Sequence, residues 1–200
     1  MAIFTVAISG GIAAGKTTAT EYFSNIGAPI LDADIIAKDI TTTNKEVINA
    51  IANHFGTAVF EANKTLNRAK LRTIIFHDKA AKLWLENLLH PKIQAAIIAK
   101  KSQLNSRFCI IALPLINKNS RKIYGIDMIC SLISKQDLRI ARMVKRDNVK
   151  TATAKAIIAS QISDVKLNAL SDITIINNTD IAALQSNIKQ LHKLILQKIK

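Results

Sequence analysis

Residues Gly10-Gly11-Ile12-Ala13-Ala14-Gly15-Lys16-Thr17 satisfy the pattern G-x-x-x-x-G-K-[ST]. Glycine permits positive φ and lets the main chain approach an anion without an intervening Cβ. Successive amide N–H groups in such a loop converge on a phosphate, and the partial positive charge of a following helix N-terminus adds to them. In this reading Gly11, Ile12, Ala13, Ala14, Gly15, Lys16, Thr17 and Thr18 bind ATP. Lys16 sets an ammonium on the β- and γ-phosphates, and Thr17 offers its hydroxyl to Mg2+. An ammonium about 4 Å from a phosphate oxygen gains roughly 4 kcal/mol at an effective dielectric near 20. Chance alone produces the pattern in roughly one chain in a hundred at average glycine content, and a strand before it with a helix after it is rarer still.

Both flanking elements are legible. Ile3 to Ser9 is a short apolar, β-branched run, expected to be a buried strand. Lys16 to Ile26 has helical patterning and ends at Gly27-Ala28-Pro29. Pro29 to Leu31 is expected to be a second strand, halted by Asp32-Ala33-Asp34, which makes a βαβ unit with parallel pairing. Apolar residues then recur at three-and-four spacing through Val47, Ile51, Leu71, Leu85 and Leu89, and Pro91 is expected to open a further helix from Lys92 to Leu104. So much helix between two strands predicts an inserted helical subdomain over 35–105, within a single domain spanning 1–200. Strands are expected at Phe108–Leu113, Met128–Ile133 and Ile173–Ile176. Amphipathic helices are expected at Asp137–Asp147 and Thr151–Ile162, with a last helix capped by Asp180 and running to about Ile199. The expected fold is α/β: a doubly wound, five-stranded parallel sheet of P-loop NTPase type.

Composition narrows the partners. The 200-residue chain is 49% hydrophobic and carries a net charge of +14. Its basic residues are spread along helices, no block of five or six Lys/Arg occurs, and aromatics make up 4%, so a nucleic-acid surface with stacking rings is not expected. Surface charges beyond about 8 Å are largely screened at physiological salt, so the +14 can steer polyanionic substrates but does not hold them. Cys109 and Cys130 lie in apolar runs and are expected to be core residues of a reducing compartment. The short apolar N-terminal run lacks a basic start, and no apolar stretch approaches eighteen residues. A soluble, cytoplasmic protein without a membrane partner, monomeric or weakly self-associating, is expected.

A phosphate loop serves GTPases and motor ATPases as well as kinases. The short chain and Asp32-Ala33-Asp34 at the end of the second strand favour a kinase, because a carboxylate there can take the proton of an acceptor hydroxyl or help hold magnesium. Either aspartate could instead cap the helix that follows.

These residues, in their order, resemble the dephospho-coenzyme A kinase family over the whole chain. Besides the loop, the resemblance rests on Gly27 with Asp32-Ala33-Asp34-Ile35-Ile36-Ala37, Leu66-Asn67-Arg68 with Leu71 and Phe76, and Leu89-His90-Pro91. It continues through Pro114-Leu115, Arg142 with Arg146-Asp147, Gln161, and Asp172 with Ile175 and Asn177. It implies ATP-dependent phosphorylation of the ribose 3′-hydroxyl of dephospho-CoA, with Asp34 as base, Asp32 second, and Lys16 on the transferred phosphate. It implies that 35–105 receives the acceptor and that 137–165 is a lid whose Arg142 and Arg146 lie over the phosphates. Taken alone, that helix is equally a solvated basic face. His90 could equally be a capping or core histidine, Arg68 a surface arginine, and Trp84 core. Another small P-loop kinase, acting on a nucleoside, nucleotide or sugar acid, is the nearest rival.

The chain departs from the family pattern in several places. Lys118 stands where a glutamate is usual, Ile133 where an acidic residue is usual, Thr179 for glycine, and Ala13-Ala14 for Gly-Ser. At Lys118 an ammonium replaces the carboxylate that the family pattern would offer for ordering the acceptor site.

Overall fold

A computed structural model describes residues 3–199, so the first two and the last residue of the 1–200 span lie outside the described residues. The chain divides into two compact units, Met1–Asp32 with Gln103–Lys200, and Ala33–Ser102.

The first unit holds five parallel strands: β1 (Phe4–Gly10), β2 (Ile30–Asp32), β3 (Phe108–Ala112), β4 (Met128–Ile133) and β5 (Ile173–Ile176). Their order is β2-β3-β1-β4-β5. β1 pairs with β3 on one side (Val6 opposite Ile110) and with β4 on the other (Ile8 opposite Cys130). The chain leaves β1 towards β2 and later builds outwards through β4 to β5, so the direction of winding reverses beside β1. Ligands of such sheets sit at the carboxyl ends of the strands at this switch point, and the phosphate loop follows β1 directly.

One sheet face is covered by α1 (Lys16–Asn25) and α10 (Ile181–Lys198). Val6, Ile8, Ile110, Met128 and Leu132 pack there against Phe23 of α1 and Leu184, Ile188, Leu191 and Ile195 of α10. The spacing of those four puts them on a single stripe of α10. Asp180 Oδ1 accepts the Ala183 N–H at 2.8 Å and caps that helix. Both cysteines are buried and outside any disulfide, and burial pushes the Cys130 thiol up to about 12, the behaviour of a packing residue rather than a reactive one.

Two aspartates secure the amino ends of the strands. Asp127 Oδ2 accepts the Thr5 N–H, and Asp172 Oδ2 accepts the Ile129 N–H, each at 2.7 Å, while Arg121 Nη2 donates to Asp172 at 2.7 Å. Three short elements escaped the sequence reading: α6 (Ser120–Tyr124), α9 (Asp164–Ala169) and the 3-10 turn Thr57–Val59. Each is too short to display a helical period. The helix expected to reach Ile162 is α8 (Thr151–Ala159), and α9 begins after Ser163, whose hydroxyl accepts the Lys166 N–H.

The second unit is helical: α2 (Ala33–Thr43), α3 (Lys45–Phe55), α4 (Arg68–His77) and α5 (Lys79–Ser102). Val47, Ile51, Val59, Leu71 and Leu85 form its core, with Trp84 packed partly buried against them and stacked on His54 at 3.8 Å. Asn44 caps α3 and Asn67 caps α4. Arg68 Nη2 donates to Lys38 O at 2.9 Å and Thr41 Oγ1 at 2.7 Å, closing the carboxyl end of α2. Pro91 does not open a helix; it lies inside α5, which runs unbroken for 24 residues. Proline removes one N–H, but the packing of Leu85, Leu88 and Ile97 on either side of it holds the helix together. His90 is exposed on α5 and is neither a cap nor a core residue. Among the described residues no helix is long and apolar enough to cross a membrane.

Burial pushes the Asp172 carboxyl up, yet the Ile129 N–H and the Arg121 guanidinium outweigh it, and its pKa falls below the usual carboxylate value. Asp172→Ala orphans the Ile129 amide and is expected to cost about 1–3 kcal/mol in urea unfolding at pH 7. A lowered folded-state pKa gives stability above the unfolded value that is lost as pH falls. The gap between wild type and Asp172→Ala therefore narrows below about pH 4.

Candidate active site

β1 is buried from Thr5 onward and ends at Ser9-Gly10, where the chain leaves the sheet as the loop 11–15 and re-enters regular structure at Lys16, the first residue of α1. The position before the helix, Gly15, has φ 111°, and no side chain caps α1. A Cβ there would lie 2.6 Å from Asn177 Nδ2, so both conformation and space demand glycine. The first amides of α1 are thereby left facing the loop with no competing cap.

The orientation of the loop is imposed from outside. Three consecutive carbonyls each accept a side-chain donor: Ile12 O from Arg139 Nε at 2.9 Å, Ala13 O from Arg142 Nη1 at 3.2 Å, and Ala14 O from Asn177 Nδ2 at 2.9 Å. In a planar trans peptide the C=O and the next N–H point in opposite directions. Holding these oxygens outward therefore turns the Ala13, Ala14 and Gly15 amides inward. The Ala14 N–H returns to Gly11 O at 3.1 Å, whereas among the described residues the Ala13 and Gly15 amides take no protein acceptor. Two inward N–H groups without acceptors, beside an uncapped helix start, make an anion cradle.

Ala13 sits at φ 58°, a left-handed conformation costing an L-residue roughly 1–2 kcal/mol. The strain is offset by the Arg142 bond and by apolar packing. Ile12 and Ala13 lie against Ile140 and Met143 of α7 (Gln136–Asp147) and against Ala154 of α8. The alanine that departs from the family pattern thus occupies a backbone position that glycine would adopt without strain.

The remaining sequence candidates fall as follows. Lys16, Thr17 and Thr18 form the first turn of α1, with Thr17 exposed. Among the described residues the Thr17 hydroxyl takes no protein partner. Asp32 ends β2 opposite Ala112, and Ala112 pairs in turn with Ile8 of β1, so Asp32 shares the carboxyl edge of the sheet with the loop. Asp34 follows two residues later, exposed in the first turn of α2. Arg142 is engaged on Ala13 O, Ser134 Oγ (3.1 Å) and Asn177 O (3.1 Å). Arg146 forks onto its neighbour Asp147 at 2.7 and 2.8 Å, and that hydrogen bond raises its pKa further. The two arginines thus stand in different surroundings, one against the loop and one at the exposed end of α7.

Sequence reading missed Arg139 altogether and assigned no role to Asn177 or Gln161. Arg139 is one helical turn from Arg142, a spacing that puts both on one face, but only its burial distinguishes it from a solvated residue.

A phosphate loop at the switch point of a parallel five-stranded sheet, followed by an uncapped helix carrying Lys16 and Thr17, defines a P-loop kinase. The family model for dephospho-CoA kinase matches residues 4–183. Dephospho-CoA kinase of Coxiella burnetii is 38% identical over 192 residues, covering 96% of each chain. That of Colwellia psychrerythraea is 40% identical over 181 residues, 90% of this chain and 88% of the relative. The solved structure of dephospho-CoA kinase from Campylobacter jejuni superposes with a TM-score of 0.66 at 25% identity, over 98% of both chains. This chain belongs to the dephospho-CoA kinase family.

Gly15→Ala forces a Cβ into left-handed backbone and into Asn177. It is expected to weaken ADP binding at least about tenfold in isothermal titration, a loss near 1.4 kcal/mol.

Proposed function

We propose that this chain transfers the γ-phosphoryl group of ATP to the ribose 3′-hydroxyl of dephospho-CoA, giving CoA and ADP. The observation that carries the reading is the set of three outward-held carbonyls, which aims loop amides at a phosphate chain. Family membership supplies the acceptor.

In this reading the Ala13 and Gly15 amides and the start of α1 grip the phosphates, and the Lys16 ammonium balances charge that shifts to the β–γ bridging oxygen as the bond to the γ-phosphorus breaks. Asp34 accepts the proton of the 3′-hydroxyl as its oxygen bonds to the γ-phosphorus; Asp32 is the second candidate. Residues 35–105 carry the acceptor contacts. Arg146, at the exposed end of α7, is the cationic side chain offered to the phosphates, and Arg142 supports the loop from behind. The donor set fits Mg2+: the exposed Thr17 hydroxyl beside the phosphate cradle, with no protein partner among the described residues, is of the kind a phosphate loop offers to that ion. Bound there with the phosphate oxygens, it would supply charge neutralisation. The net charge of +14 suits two polyanionic substrates, and ATP as donor favours the cytoplasm.

The purified chain, incubated with ATP and a panel of acceptors, is expected to phosphorylate dephospho-CoA. Turnover on a nucleoside monophosphate with none on dephospho-CoA would overturn the assignment. Lys16→Ala is expected to abolish turnover with the circular-dichroism spectrum unchanged. Asp34→Asn is expected to lower kcat by about 10²–10⁴ while the KM for ATP stays near wild type; an unchanged kcat removes Asp34 from the base role.

A further inference from the structure

Arg139 is a charged side chain only 4% exposed, on α7. Its three nitrogens are spent in three directions. Nε donates to Ile12 O at 2.9 Å, Nη2 donates to Gln161 Oε1 at 2.7 Å, and Nη1 lies 3.5 Å from Asp164 Oδ1. Gln161 Oε1 also accepts the Ile12 N–H at 2.9 Å. Both hydrogen-bonding groups of one loop residue are therefore clamped, by two side chains bonded to each other. The guanidinium also lies close against Gly11: a Cβ there would meet Nη2 at 2.2 Å, Cζ at 2.7 Å and Nη1 at 3.1 Å. Gly11 is not left-handed, so it is the space taken by this arginine, not backbone conformation, that excludes a side chain at position 11.

We propose that Arg139, acting through Gln161, is a positioning residue for the nucleotide: it fixes the Ile12 peptides so that the Ala13 amide faces the phosphates. The inference rests on the nucleotide reading of the loop. Arg139 does not touch substrate. It acts on the loop by holding a carbonyl outward, and the guanidinium fork lets one side chain reach three acceptors that an ammonium could not reach together. A buried guanidinium is tolerable because Asp164 and two neutral oxygens satisfy it, and the arrangement is correspondingly hard to substitute. A residue that merely packed α7 against α8 would have no reason to end on a carbonyl of the loop.

The test uses the full chain. Arg139→Met keeps the length and removes every donor. ADP affinity by isothermal titration is expected to fall at least about tenfold, with the KM for ATP rising in parallel and the KM for dephospho-CoA changing less than about twofold; Arg139→Lys is expected to recover part of the loss. A purely structural role would lower the melting temperature and leave the affinity of the folded protein and the ratio of the two KM values unchanged, and that result overturns the proposal. The contact itself is read by a cycle: Gly11→Ala alone is expected to be severe, but less than about twofold when added to Arg139→Ala. Additive losses would also overturn it. If Arg139→Met fails to fold, Gln161→Leu, which removes the shared acceptor, is expected to give the same split between the two KM values, and wild-type values there count against the proposal. Should the wild type not phosphorylate dephospho-CoA, the ADP titrations still decide the role of Arg139.

Discussion

The phosphate loop of this chain is defined by which way a few peptide planes face. A loop of main-chain amides repels or attracts an anion according to whether its carbonyls or its N–H groups point inward. Here the choice is made by donors outside the loop: Arg139, Arg142 and Asn177 each take one of three successive oxygens. Dipoles fixed by such side-chain bonds are the preorganised kind that stabilises phosphate charge. Lys16 adds the larger single charge, yet a lysine alone would hold a phosphate without fixing its orientation.

The same contacts explain why the segment after β4 is built as it is. Met143 and Ile140 of α7 and Ala154 of α8 pack on Ile12 and Ala13, so α7 is anchored to the loop by apolar contact as well as by two guanidinium groups. Its last four residues, Val144 to Asp147, are all exposed, with Arg146 paired to Asp147. The departure at Ala13, costly by itself in left-handed backbone, is tolerated because this packing and the Arg142 bond over-determine the conformation.

Several residues that carry the resemblance have partners within the fold. Asn67 caps α4, Arg68 closes the end of α2, and Asp172 completes the hydrogen bonding at the start of β4. Each has a sufficient role in the fold. Pro91 shows the reverse: a residue that ordinarily ends or opens helices sits inside one, because apolar contacts on both sides of it outweigh one missing hydrogen bond.

The sequence by itself determined the loop chemistry, the strand-loop-helix unit around it and the alternation that builds a parallel sheet, because all three are written in short-range patterns: glycine placement, β-branched runs and helical spacing. Asp180 as a cap and the limits of β4 and β5 were legible for the same reason. Only the tertiary structure decided which side chains hold the loop open. Arg139 meets Ile12 across 127 residues of sequence and Asn177 meets Ala14 across 163, and no local pattern records such pairings. Periodicity tells which side of a helix is apolar; it cannot tell that an arginine on that helix will be buried against the first glycine after the first strand.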